Sequence, residues 1–541
     1  MNVKAIKPIL FAFTALSLVA CGSKTSDKSA TETTTPPPTS SETDPNYIDV
    51  VALAGDATAL DTNNSGHGFS TPMPNLSDSE LDIHLTGDAN FETSFTTAPN
   101  DAHPELDGLG PVFNNNNCNA CHQRDGRPST IVPTAEQQTV KLANDAGIFL
   151  RVSLADGVCE MPSSINDFCQ VKGVEGFGDQ LFHRGILQAR EDWQTHNFGG
   201  QADVYLSYDY TEFSYPDGST VTLKKPVFTI DNAWDSPENF SLSALANEDV
   251  RFSARNGMPV FGLGLLEAIE EQDILALEDV DDADNDGISG KANWVFDAVK
   301  AQAGDENPVS LGRFGWKAST PSVRQQSLGA LRGDMGVTNS LFPEESIANT
   351  LMHESYLSRT NYQDTGSDEQ GLSEASDEFS DTVVFYAETL AVPARRNVAD
   401  EDVKAGARLF NELNCTGCHT PRFVTANGAA LLLGGVAAPA AVKGQEIWPF
   451  TDMLLHDMGE ELADNRRDFM ATGREWKTRP LWGIGLTKTV NPAAGFLHDG
   501  RAATLEEAIL WHSGEAEKSK REFTELSSEK RAQLISFLQS L

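Results

Sequence analysis

The sequence predicts a mainly α protein whose N-terminal half carries a β-containing insertion. Three observations predict it. Toward the C-terminus apolar side chains recur at helical spacing: Val403, Ala407, Phe410 and Leu413 fall on one face, and Leu534, Phe537, Leu538 and Leu541 on another. Residues 265–280 (LLEAIEEQDILALEDV) and 376–391 also read as helices, the second ended by Pro393. Residues 139–154 and 202–230, in contrast, are β-rich, and Pro216-Asp217-Gly218 between Tyr- and Val-containing runs signals a hairpin.

In chain order, residues 1–20 open with Lys4 and Lys7 and continue with an apolar stretch from Ile9 to Ala20, too short for a stable span. They read as a secretory signal peptide. The stretch ends in Leu18-Val19-Ala20-Cys21-Gly22, which resembles a bacterial lipoprotein box with Cys21 as the lipidated first residue of the mature chain. Gly22 and Ser23 follow, and no Asp is there to signal inner-membrane retention. The expected location is the periplasm, lipid-anchored to the outer membrane of a Gram-negative bacterium, with the anchor as the only membrane contact. Residues 21–47 are mostly Ser, Thr, Asp and Pro, offer little to bury, and read as a disordered tether. Folded character begins near Ile48. Near the other end, Thr504-Leu505-Glu506-Glu507 is a capping box opening a helix through Trp511, and Ser528 can cap the last helix.

Charge excludes one class of partner. Forty Lys+Arg against 79 Asp+Glu give a net charge of −39, from which no basic face for nucleic acid can be built. Seven cysteines in 541 residues exclude a disulfide-rich scaffold.

Four of the cysteines carry the strongest signal. Cys118-Asn119-Ala120-Cys121-His122 and Cys415-Thr416-Gly417-Cys418-His419 are both C-x-x-C-H. That spacing lets two thiols form thioethers with the vinyl groups of one haem, and the following His lies under the iron. A zinc site needs further Cys or His at matching spacing, and a redox pair does not need the His twice. The expected cofactors are therefore two covalently bound haem c groups. A helix before the motif and another at the chain end suit a c-type cytochrome domain. The full expectation is two cytochrome c-type domains with the β-containing insertion: 48–335 for the N-terminal haem domain, 336–398 for a connecting segment and 399–541 for the C-terminal cytochrome c domain. Cys159 and Cys169 remain; a disulfide in an oxidising compartment is the simple reading, and a redox-active pair is the alternative.

Asp282-x-Asp284-x-Asp286-Gly287 places oxygen ligands at alternate positions with Gly for a sharp turn, the opening of a Ca²⁺ loop. Position twelve is Asn293 where an EF-hand has Glu, so the expectation is one Ca²⁺ in an EF-hand-like loop, with an acidic surface turn as the alternative.

Longer stretches carry a resemblance. GLGLLEAIEE (262–271), DNDGISGKAN (284–293), GRFGWKA (312–318), LAVPARR (390–396), TDMLLHDMGEELAD (451–464), EWKTRPLWGIGL (475–486) and FLHDGRAATLEEAILWHSGEA (496–516), with both C-x-x-C-H motifs, resemble the bacterial di-haem oxidoreductases, which are similar to di-haem cytochrome c peroxidases. The resemblance implies that H₂O₂, a small-molecule oxidant, is reduced at the N-terminal haem. Electrons come from a periplasmic donor through the C-terminal haem. It also implies a catalytic Glu in the N-terminal half, for which Glu267 in GLGLLEAI is the match by order. Trp316 in RFGWKA is the corresponding electron relay. Sixth iron ligands are sought among Met458, the first choice beside the matched HDMG, and His498, with His456, His512, Met352 and His353 behind them. Two other readings stand beside the peroxidase: a two-haem electron carrier without peroxide turnover, and an accessory binding lipoprotein in iron handling.

Overall fold

Helix packing begins where the apolar spacing places it. In the computed structural model the helix Glu401–Glu412 buries Val403, Ala407 and Phe410 against Leu534, Phe537 and Leu538 of the terminal helix Ser528–Ser540. The structure describes residue 48 and residues 60–541 except 99, 135, 143–145, 156–171, 175, 186–199, 232–244, 246–248 and 348–372. The terminal helix is capped by Ser527, one residue before the Ser expected. A Cβ on Gly406 would lie 2.0 Å from Gln533 O, so only glycine lets these two helices approach this closely. A second pair does the same in the other half. The helix Asp78–Glu92, opened by a Ser77–Glu80 capping box, packs on Asp377–Thr389, and a Cβ on Gly87 would lie 2.1 Å from Thr382 O.

The β-rich segments form two antiparallel three-stranded sheets. Ile148–Leu154 lies between Gln180–Leu181 and Val250–Asn256. Asp203–Ser214 and Thr220–Asp231 form the expected hairpin, joined by Val140–Lys141, and Gly218 supplies the positive φ of the turn. The hairpin tip is held by the C-terminal helices: Arg531 pairs with Asp217 at 2.8 Å and lies over the Tyr215 ring, whose hydroxyl donates to Glu506 at 2.8 Å.

The chain is nevertheless not mainly α. Helix makes up 31% of the structure and strand 22%, spread over many small sheets, so the expected fold class is corrected to mixed α and β. Two causes are visible. The stretch 265–280 breaks into Leu263–Glu267 and Glu271–Leu275, because Ile269 between them bridges to Thr425. Loops around the motifs are pinned by ladders of two or three residues, such as Leu455–Asp457 with Glu475–Lys477. Such ladders satisfy buried backbone groups of segments distant in sequence, so no local periodicity announces them. Cys118 packs against one hydrophobic core and Cys415 against another. Among the described residues no helix is long and apolar enough to cross a membrane.

Candidate cofactor sites

Both C-x-x-C-H segments are closed by the same backbone bond. His122 N donates to Cys118 O at 3.0 Å, and His419 N to Cys415 O at 2.9 Å. Asn117 Oδ1 starts the first turn by accepting from Ala120 N at 2.7 Å, and Asn414 enters the second with a left-handed φ of 55°. Each motif histidine also faces a phenylalanine of the glycine-bearing helix: Phe91 at 6.2 Å from His122 and Phe410 at 6.1 Å from His419, centroid to centroid.

The imidazoles are set for metal binding. His122 Nδ1 lies 2.5 Å from Met258 O, and His419 Nδ1 lies 3.0 Å from Phe450 O. A carbonyl only accepts, so Nδ1 carries the proton in each ring and Nε2 keeps its lone pair. Burial lowers both rings' affinity for a further proton, His419 to about 4. Burial, the largest cause, pushes Cys118, Cys121 and Cys415 up to about 12, the opposite of a reactive redox thiol. These cysteines and both histidines are half-buried. Two thiols and a neutral imidazole form the donor set that a haem c needs at each motif.

The second motif opens on a cavity lined by Cys415, Cys418 and His419 together with Met458, His498 and Trp316. Met458, half-buried, stands on its wall. His498 also lines it, but its ring stacks on Trp476 at 3.9 Å, and burial lowers its pKa to about 3. His456 reaches the cavity with both nitrogens engaged, Nε2 by Asp452 at 2.7 Å and Nδ1 by Glu515 at 2.8 Å. His512 donates from Nδ1 to Ala508 O at 2.7 Å, which leaves its Nε2 lone pair free, as in His419.

Trp316 connects the two motif regions. Its Nε1 donates to Asn256 O at 2.8 Å, and Met258, two residues on, holds His122. The same indole lines the cavity of His419.

Glu267, expected near the first motif, accepts through its two oxygens from Val323 N at 2.7 Å and Gly434 N at 2.6 Å. Burial pushes its pKa up to about 7. A carboxylate that the sequence did not single out lies nearer the first motif. Asp334 raises the Cys118 and Cys121 thiols after burial has done so, accepts from Gln180 Nε2 at 2.8 Å, and has its own pKa raised by burial. One Asp among so many acids gave no signal in the sequence.

The acidic loop gathers Asp279, Asp282 and Asp284, whose ligand oxygens lie within 4.8 Å of one another. Asp279 was not among the expected ligands. Asp286 is used differently: Oδ1 accepts from Ile288 N at 2.8 Å, and Oδ2 from Asn414 Nδ2 at 3.0 Å. Cys21, Cys159, Cys169, Met352 and His353 lie outside the described residues.

A family model described as "Di-haem oxidoreductase, putative peroxidase" matches residues 47–541. No curated protein and no solved structure matches the chain.

Proposed function

Because the chain belongs to the di-haem oxidoreductase family, we propose that it is a two-haem c-type peroxidase. In this reading H₂O₂ is reduced at the His122 site, and a periplasmic donor delivers electrons at the His419 site. Each haem, when bound, supplies one-electron and peroxide chemistry. The chain supplies attachment, orientation and protons. Cys118, Cys121, Cys415 and Cys418 are the attachment thiols, and His122 and His419 present Nε2. Met458 offers its sulfur from the cavity wall, a donor that raises potential and suits the electron-storing site. Reducing H₂O₂ to two waters consumes two electrons and two protons, so a carboxyl group that can take up and deliver a proton is useful. Asp334 is our choice, on its place beside the first motif and its raised pKa. Asp279, Asp282 and Asp284 hold one Ca²⁺. Cys21 carries the lipid that keeps the protein on the periplasmic face of the outer membrane.

One observation carries the coupling of the two sites. Trp316 lies on the wall of the His419 cavity and is hydrogen-bonded to Asn256, in the same short segment whose Met258 carbonyl orients His122. An indole so fixed is suited to relay an electron. The test is peroxide consumption by matured protein with its donor site pre-reduced and Ca²⁺ present. Asp334→Asn is expected to slow turnover by on the order of 10²-fold with both haem spectra intact. No peroxide reaction in the wild type, with both irons low-spin and held by two protein ligands, establishes the electron carrier instead.

A further inference from the structure

Two arginines lie over Trp316. The Arg127 guanidinium lies 5.2 Å from the ring centroid, and so does that of Arg479. Both line the cavity that holds His419. Arg127 comes from the segment just after His122, and Arg479 from the C-terminal part of the chain. Arg127 is 8% exposed, its Nε has no hydrogen-bond partner among the described residues, and its Nη2 reaches only a backbone carbonyl, that of Leu497. Neither arginine has an ion pair among the described residues. Asp499, the acid that most influences Arg127, is bound to Arg501 at 2.7 Å.

The chain holds 79 Asp+Glu, yet among the described residues none forms an ion pair with either guanidinium, and Asp499 is engaged by Arg501. Burying a charge without a partner is strongly unfavourable, and two like charges on one indole add repulsion. Cation–π contact with Trp316 offsets only a part of that cost. The remainder calls for an anion in the cavity. Guanidinium favours carboxylate and phosphate, which it meets with two parallel N–H bonds. Burial and mutual repulsion hold Arg127 down to about 9, still cationic at neutral pH, and burial alone holds Arg479 to about 10.

We propose that Arg127 and Arg479, both set against Trp316, bind the two carboxylate arms of the haem attached at Cys415 and Cys418. The proposal rests on the reading that a haem occupies this cavity. It gives Trp316 a second consequence: the indole is fixed against the same cations that neutralise the haem edge, so relay and cofactor are positioned by one clamp.

The test uses matured holoprotein and spectroelectrochemical titration of each haem, with a haemochrome count alongside. Arg479 is the less buried of the two, so Arg479→Gln is the variant less disturbing to folding. With two haems still present, the His419-site midpoint is expected to fall, because a lost cation beside the carboxylates favours ferric iron. Arg479→Lys should recover part of the shift, and Arg127→Gln should lower the same midpoint. Unchanged midpoints in Arg479→Gln and Arg127→Gln at full haem content overturn the clamp alone. The carboxylate could also be external. Succinate that perturbs the wild-type spectrum saturably, and no longer does so in Arg479→Gln, shows the guanidinia open to solutes and also overturns it. A wild-type count below two haems removes the underlying reading and the clamp with it.

Discussion

Asn414 Nδ2 donates to Asp286 Oδ2 at 3.0 Å, and Asn414 is the residue before Cys415. The acidic loop is thereby tied to the second motif by one of its own carboxylates. A second tie runs from Ser289, whose N and Oγ donate to Glu515 at 3.0 and 2.7 Å, while Glu515 also holds His456. The loop therefore braces the wall of the His419 cavity whether or not it carries an ion.

Calcium binding should depend on the loop's other acids. Calorimetry on the matured protein is expected to give one Ca²⁺ site, abolished by Asp282→Ala or Asp284→Ala and retained in Asp286→Ala. The last variant should instead lose about 1 kcal/mol of stability through its freed Asn414. Absence of binding at millimolar Ca²⁺ in the wild type contradicts the site.

Glu267 is tied to two distant backbone segments. Its oxygens accept from the first residue of the helix Val323–Met335 and from Gly434, so Glu267→Gln turns an NH₂ toward one of two buried N–H donors. A cost of about 1–3 kcal/mol is expected, with peroxide turnover within a few-fold of wild type. The pH dependence has a definite sign. The folded pKa of about 7 lies above the ordinary carboxyl value of 4.5, so the folded state binds the extra proton between them. Its contribution is full below about 4.5 and lost as pH rises through 7. The stability gap between wild type and Glu267→Gln should narrow over that interval, as read by melts across pH. A turnover loss near 10²-fold without destabilisation would return Glu267 to the chemistry.

Gly406→Ala should separate the C-terminal helix pair. The new Cβ meets Gln533 O at 2.0 Å and Phe537 Cβ at 2.7 Å, both on the facing helix. Overpacking of this kind costs about 1–3 kcal/mol, to be measured by urea denaturation. Gly87→Ala should act alike in the other half, where the Cβ meets Thr382 O at 2.1 Å and Tyr386 Cβ at 2.7 Å. A neutral result at either site means that the helices part without penalty.

Membrane attachment should reside in one atom. Cys21→Ser is expected to move the protein from the membrane to the soluble periplasmic fraction, followed by fractionation and immunodetection. A variant that still sediments with membranes refutes the lipid anchor.

The two haem-attachment motifs were legible in the sequence alone, because C-x-x-C-H is confined to five residues and needs no fold to be read. The sequence determined the helices at 401–412 and 528–540 for a similar reason: a buried face writes its period into consecutive residues. Only the tertiary structure showed that the two motif regions share a frame. In each, a glycine lies against a facing helix and a phenylalanine four residues later faces the motif histidine: Gly87 and Phe91, Gly406 and Phe410. Phe91 precedes Cys118 by 27 residues and Phe410 precedes Cys415 by five, so the repeat is invisible along the chain. Order and motif singled out Glu267 in the sequence, but its partners Val323 and Gly434 come from segments that no local pattern connects to it. Arg127, Trp316 and Arg479 meet for the same reason. Short-range spacing is set by the geometry of one helix, strand or turn, whereas the meeting of distant side chains is decided by how the cores pack.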